Sequence, residues 1–394
     1  MQLDNKIARL WLASKKAEMH SLEMLFELAQ LIGQIRKMIH FLQLERGASV
    51  LFLVHQQKNS DINYRHYRQC FCNERDTFNQ LLEKWLDSSE GKVLAGGVFI
   101  NLAKVLETFD HALYNTRRQV DGCEISSVQA AKSISAVIKT LINVIVEMTE
   151  VTQEPKISKL MVALVDVINA KELAGQERAL GVYVIASSSK KDAELEDQRL
   201  GLIDMQGYYL NSFADFAVKE TRNEFNRVME YKGLDDYRQK FQDPQFIGIQ
   251  AAEEWFKVCT ARIELLQNLE EHMVQSLQLL CAQKLHNADE LMNRDEQWLS
   301  ENIDGEVLQN SAAGAASILM EKLKQQGSDL KRTQVELSVT KQTLLDQKII
   351  QQAKAKMMKH FRLSEEEAHR KMQQAAMHQD IKLIDLAKNI LSKK

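Results

Sequence analysis

Two short elements carry arginines among residues that otherwise read as helix core: Leu42-Gln43-Leu44-Glu45-Arg46-Gly47-Ala48-Ser49 and Lys171-Glu172-Leu173-Ala174-Gly175-Gln176-Glu177-Arg178-Ala179-Leu180-Gly181. At helical spacing Arg46 shares a stripe with Ile39, Leu42, Ser49, Val50 and Leu53. Arg178 shares one with Ala174, Gly175, Gly181, Val182 and Ile185; residues three and four apart lie on one helix face. A charge left uncompensated in an interior costs several kcal/mol, so each arginine needs a partner. Glu45 and Glu177 are poor partners for the arginines beside them, because neighbours in a helix do not face each other. A carboxylate from another helix is one solution. An anion from solution is the other, since the guanidinium offers five donors in a planar fork that matches a planar oxyanion bidentately. Glycine inside a helix costs roughly 0.5–1 kcal/mol relative to alanine, so Gly175 and Gly181 point to close approach of another backbone or to room for a ligand. Arg238, in line with Leu234 and Phe241, is a third candidate at the edge of the core.

Catalysis finds no foothold. No paired carboxylates, Ser-His-Asp set, P-loop, Gly-x-Gly-x-x-Gly or His-Glu-x-x-His arrangement is present, and the ten histidines are dispersed. Cys70, Cys72, Cys123, Cys259 and Cys281 lack both disulfide-framework and zinc-ligand spacing, which fits a reducing cytoplasm, thiols and no metal. The first residues lack the charged start and apolar run of a secretory signal. No stretch approaches the roughly 18 apolar residues of a membrane span. The expectation is a soluble cytoplasmic protein that is not an enzyme and needs no cofactor.

The elements that position these residues are helices. Only two prolines and 15 glycines punctuate 394 residues, too few breakers for an all-β fold. Apolar residues recur at three and four over 18–55, and further helical stretches follow at 65–86, 99–117, 126–149 and 157–188. A second set covers 194–227, 234–241 and 251–284, with a loop or broken helix at 233–243. The fold class is all-α: two helical bundles forming a body over residues 1–300, a connector helix over 301–344, and a small three-helix domain over 345–394. In the connector, Leu323, Leu330, Leu337 and Leu344 recur every seven residues, but the companion seam positions are polar, as at Thr333 and Thr340. That pattern suits a marginal parallel dimer helix, and also a single amphipathic helix lying on the body. In the last domain 345–361 is helical, Ser364 and Glu367 form a capping box opening a helix through Met377, and Asp380 starts a third. Here eleven Lys or Arg stand against six Asp or Glu, a local +5 that leaves −8 for the rest. The asymmetry marks a basic effector module on an acidic body.

The Leu-Gln-x-Glu-Arg-Gly-x-Ser element at 42–49 and the Lys-Glu-x-x-Gly-x-Glu-Arg element at 171–178 resemble the paired signatures of the nitrate- and nitrite-sensing (NIT) domain. The C-terminal run Ala353-Lys354-Ala355-Lys356-Met357-Met358, then Leu363-Ser364-Glu365-Glu366-Glu367-Ala368, Ala376-Met377 and Leu386-Ala387, resembles the ANTAR RNA-binding domain. This order is similar to that of nitrate-responsive transcription antiterminators across essentially the whole chain. The resemblance implies nitrate or nitrite as the ligand, bound by Arg46 and Arg178 with Arg238 as a further candidate. It implies hairpins in a leader mRNA as the partner, read so that transcription of nitrate assimilation genes is not terminated; the seven-residue leucine spacing, for its part, leans toward a homodimer. Lys354, Lys356, Lys359, Arg370 and Lys371 are the residues expected to neutralise RNA phosphates. Two departures bear on those contacts: Met372-Gln373 stands where the family usually has Leu-Arg, and Arg362 stands where a glycine is common. The rival reading is a helical scaffold or adaptor with structural arginines and a basic tail that docks an acidic protein.

Overall fold

The computed structural model describes residues 2–55, 64–88, 96–152, 154–187, 193–216, 221–241, 243–303, 312–361, 363, 365–379 and 381–392, for some of them the backbone alone. All its regular elements are helices. The first set comprises α1 (Gln2–His55), α2 (Tyr64–Ser88), α3 (Gly96–Thr108), α4 (Tyr114–Asp121) and α5 (Ser127–Val151). The second comprises α6 (Pro155–Ala186), α7 (Ala193–Phe216), α8 (Arg222–Met229), α9 (Gly233–Lys240) and α10 (Ile249–Ile303). Then come α11 (Ala312–Phe361), α12 (Glu365–His378) and α13 (Leu383–Ser392).

Local chemistry accounts for the sharpest boundaries. Ser126 accepts a hydrogen bond from the Gln129 amide at 3.2 Å to open α5. Glu154 does the same for the Ile157 amide at 3.0 Å, with Pro155 next in line, so α6 starts where a missing N–H costs nothing. The helix expected over 99–117 carries one wide π-type turn, Phe109–Leu113, between α3 and α4. α1 begins well before residue 18, and α10 runs well past 284.

α6 organises the body. It buries 25 of its 32 residues, as a helix apolar on all sides must. It packs along α5, α7 and α10, while α1 packs on α2, α5 and α10, so the two helix sets share one continuous core from Leu28 and Ile35 to Met273 and Leu277. A smaller core at one end gathers Val182, Ile185, Leu234, Phe241 and Trp255.

The connector and the first helix of the C-terminal module are one uninterrupted helix, α11, so the sequence boundary at 344/345 falls inside it. α11 lies against α1, α6 and α10. Thr340 and Gln347 are buried, whereas Leu337 is only half-buried. The side chains of Leu323, Leu330 and Leu344 lie outside the described residues, as do Ser364 of the expected capping box and Asp380. Ile350, Ala353, Met372, Ala376, Leu386 and Ala387 form the module's own small core, and its α12 rests on α7 of the body.

Candidate anion-binding site

Arg46 and Arg178 are both fully buried, 0 % exposed, where α1, α6 and α10 meet. Their forks cross reciprocally between α1 and α6. A Cβ added to Gly175 would strike Arg46 Nη2, and one added to Gly47 would lie 2.6 Å from Arg178 Nη2. The glycines thus make room for guanidinium groups rather than for another backbone. Gly181 answers to a different neighbour, the Trp255 indole, whose Nε1 donates to the Arg178 carbonyl at 3.2 Å. Because that ring is stiff and enclosed, Gly181→Ala is expected to destabilise the protein by about 1–3 kcal/mol through overpacking. Chemical denaturation with a two-state fit checks this.

The two arginines are satisfied unequally. Arg46 Nη1 pairs with the Glu172 carboxylate of α6 and donates to Ser135 Oγ of α5 at 2.6 Å. Arg178 donates from Nη1 to Thr260 Oγ1 and from Nη2 to the Gln43 carbonyl, each at 2.9 Å, and lies over the Phe256 ring at 4.7 Å. Among the described residues it has no carboxylate in ion-pair reach. Arg46 Nε and Nη2 and Arg178 Nε are buried with no hydrogen-bond partner in the protein. Such orphaned donors are uncommon in folded chains.

The Glu-Arg dipeptides split as helical geometry requires. Glu45 turns from Arg46 to Arg68 and Arg117, with Nη2 of Arg117 at 2.6 Å. Glu177 turns from Arg178 to Arg238, whose Nε and Nη2 meet its oxygens at 2.8 and 2.7 Å, and it also accepts from Gln206. Arg238 is therefore engaged by a bidentate carboxylate, which raises its pKa against the opposing effect of burial. The structure does not bring it into direct contact with the other two.

Positive charge is in surplus beside this site. Lys171, fully buried, pairs with Glu270 and donates to Gln267 Oε1 at 2.7 Å; burial pulls its pKa down. Arg36 reaches Glu271 and, at 3.9 Å, Glu270. Burial lowers the Arg178 pKa to about 10, with the Arg46 charge adding to the effect, so Arg178 stays charged at neutral pH. His40, enclosed and facing Lys171, Arg36 and Arg178, is held near 3 by burial and then by those cations, so it remains neutral. The surroundings disfavour one more positive charge and favour a negative one.

A cavity of about 900 Å³ opens onto the site. Arg46, Ser135, Glu172 and Gln176 line it at one place, and Gln347, Gln351 and Met358 of α11 wall it at another. Sequence reasoning missed Glu172, Ser135, Thr260 and Phe256. Only Glu172 lay inside one of the two arginine-bearing motifs, and nothing in its spacing showed which arginine it meets.

Three of the five residues expected to meet RNA are buried or engaged within the protein. Lys354 is buried, 1 % exposed. Lys356 Nζ donates to the Ile390 and Leu391 carbonyls at the end of α13, at 2.9 and 3.2 Å. Arg370 pairs with Asp197 of α7 at 2.8 Å, while Lys371 is exposed and the Lys359 side chain lies outside the described residues. Further ties hold the module down. Gln347 donates to Asp166 at 2.9 Å, Gln351 to the Tyr209 hydroxyl at 2.6 Å, and His369 stacks edgewise on Tyr208.

A helical body with buried cations grips a small basic module through a long helix, the arrangement of a two-part helical regulator. The family model for nitrate and nitrite sensing matches residues 37–278, and the chain belongs to that family. The ANTAR domain model matches residues 339–391. The nitrate regulatory protein of Klebsiella oxytoca is 27 % identical over 400 residues, spanning 98 % of this chain and 94 % of that protein. The solved structure of the NasR transcription antiterminator shares the fold, with a TM-score of 0.63 and 24 % identity over 98 % of each chain. Among the described residues no helix is long and apolar enough to cross a membrane.

Proposed function

We propose that this chain is a one-component regulator of the cytoplasm, without catalytic activity, that senses nitrate or nitrite at Arg46 and Arg178. In its active form it binds leader RNA hairpins and prevents transcription termination in nitrate assimilation genes. The observation that carries the ligand reading is the pair of buried, under-satisfied guanidinium groups: Arg46 lines a cavity partly walled by α11, and Arg178 beside it has no carboxylate in ion-pair reach among the described residues. A structural role for both arginines would call for a second carboxylate. Arg238 supports the site from a distance by holding Glu177 away from it.

A ligand moves an equilibrium only if it binds one conformation better than another. The described form is the closed one: Lys354, Lys356 and Arg370 are engaged within the protein. Nitrate drawing Arg46 and Arg178 together shifts α6 against α1, alters the cavity wall, and releases α11 from Asp166 and Tyr209. The freed lysines then reach phosphates, and the leucine repeat of α11 is free to pair with a second copy.

A gel shift with a structured leader RNA at two salt concentrations, with and without nitrate, tests this. The expected result is a nitrate-dependent shift that weakens steeply with salt, because phosphate contacts release counterions. A shift indifferent to nitrate, or none in its presence, favours the scaffold reading.

A further inference from the structure

Nitrate approaching from the cavity does not meet a bare guanidinium. Glu172 stands between, only 6 % exposed yet lining the cavity beside Arg46, Ser135 and Gln176. Its carboxylate receives Arg46 Nη1 on one oxygen together with Gln176 Nε2 at 2.9 Å, and Gln43 Nε2 at 3.0 Å on the other. These are donors aimed at a planar oxyanion. The opposite side of the Arg46 fork faces α6 at Gly175, where even a methyl group finds no space. The Arg178 fork packs against Gly47 and Phe256 and does not line the cavity, so it adds its charge to the seat rather than a second open face. So the one face of Arg46 that opens to the cavity is the face a carboxylate already holds.

We propose that Glu172 is a built-in oxyanion occupying the ligand seat, which nitrate must displace to bind. The inference rests on the receptor reading above and assigns Glu172 as its affinity-setting and specificity-setting residue. Carboxylate, nitrate and nitrite share a planar arrangement of oxygens and a single negative charge, so a seat shaped around one accepts the others and rejects tetrahedral sulfate. Displaced, the Glu172 side chain swings into the cavity, whose α5 wall carries Lys132 one turn from Ser135. The internal competitor keeps the site closed until ligand is abundant. It also couples occupancy to movement of a side chain on α6, the helix that holds Asp166 against α11.

The test is calorimetric titration of the full chain with nitrate, comparing the natural protein with Glu172→Gln and Glu172→Ala, with thermal melts confirming that each folds. The expected result is nitrate binding at least ten-fold tighter in both variants, 1.4 kcal/mol at room temperature. Formate, the smallest carboxylate, should compete with nitrate in Glu172→Ala, and sulfate should not. Unchanged or weaker nitrate binding in folded variants overturns the displacement and leaves the receptor reading standing. No nitrate heat in the natural protein or in either variant overturns both.

Discussion

Arg178→Met is expected to abolish nitrate binding, a loss of 100-fold or more, while leaving the protein as stable as before or more so. The two effects part because the Arg178 charge is uncompensated: its protein partners are a carbonyl, a hydroxyl and an aromatic face, and the nearby Arg46 repels it. An uncompensated buried charge is itself costly, so an apolar side chain of similar volume in its place removes that penalty, whereas removing one partner of a buried pair costs about 3–5 kcal/mol. Arg46→Met falls in the second case, since it strands the Glu172 carboxylate. The Gln43 and Gln176 amides soften that loss without cancelling it. Denaturant unfolding beside titration checks the contrast. If the chain of Arg178→Met collapses while Arg46→Met does not, the charge balance at the site has been assigned to the wrong residue.

The second large effect is at the clasp between body and module. Burial pushes the Asp166 carboxyl up to about 7, against the hydrogen bonds from Ser212 at 2.8 Å and Gln347, with the Asp215 charge adding to the rise. Tyr208 and Asp346 face the same spot, and the Tyr208 hydroxyl is held near 12 by burial and by these carboxylates. A carboxyl whose pKa is raised in the closed form binds its proton more tightly there than once water reaches it. The closed form therefore gains stability at low pH and loses it as pH rises through about 7. Nitrate-free RNA binding is expected to rise about ten-fold between pH 6 and 8, the limit for one proton released across that window. Gln347→Glu sets a second carboxylate against Asp166, where two like charges cannot both ionise at low cost. That variant is expected to bind RNA without nitrate at pH 8 and to recover nitrate dependence near pH 6, while Asp166→Asn flattens the pH profile. A pH-independent leak in the natural protein contradicts the clasp.

How much of this was legible in the sequence depends on how local each feature is. The inward direction of Arg46 and Arg178 followed from helical spacing alone, since Ile39, Leu42 and Ser49 on one stripe and Ala174 and Val182 on the other are buried with them. Gly175 and Gly181 were legible as places of close approach, but not what approaches: the Arg46 fork and the Trp255 ring come from distant segments. Glu172 meets Arg46 across 126 residues of sequence, and Gln43 meets Arg178 across 135, pairings fixed only by how α1 crosses α6. The basic face of the last domain read as solvated and open to phosphates. The Arg370–Asp197 pair belongs instead to the packing of α12 on the body, and Lys354 is buried along α11, neither of which the module's own periodicity records. The polar seam position Thr340, a flaw in a coiled coil, is buried along α11 as it lies on the body.

The most direct measurement is calorimetric titration of the full chain with nitrate, with chloride and sulfate as controls and Arg178→Met in parallel. One nitrate per chain is expected, with little or no heat from either control anion and none from nitrate in the folded variant. Nitrate heat that survives Arg178→Met, or its absence from the natural protein, would contradict the assignment of the buried arginine pair as the sensor's ligand seat.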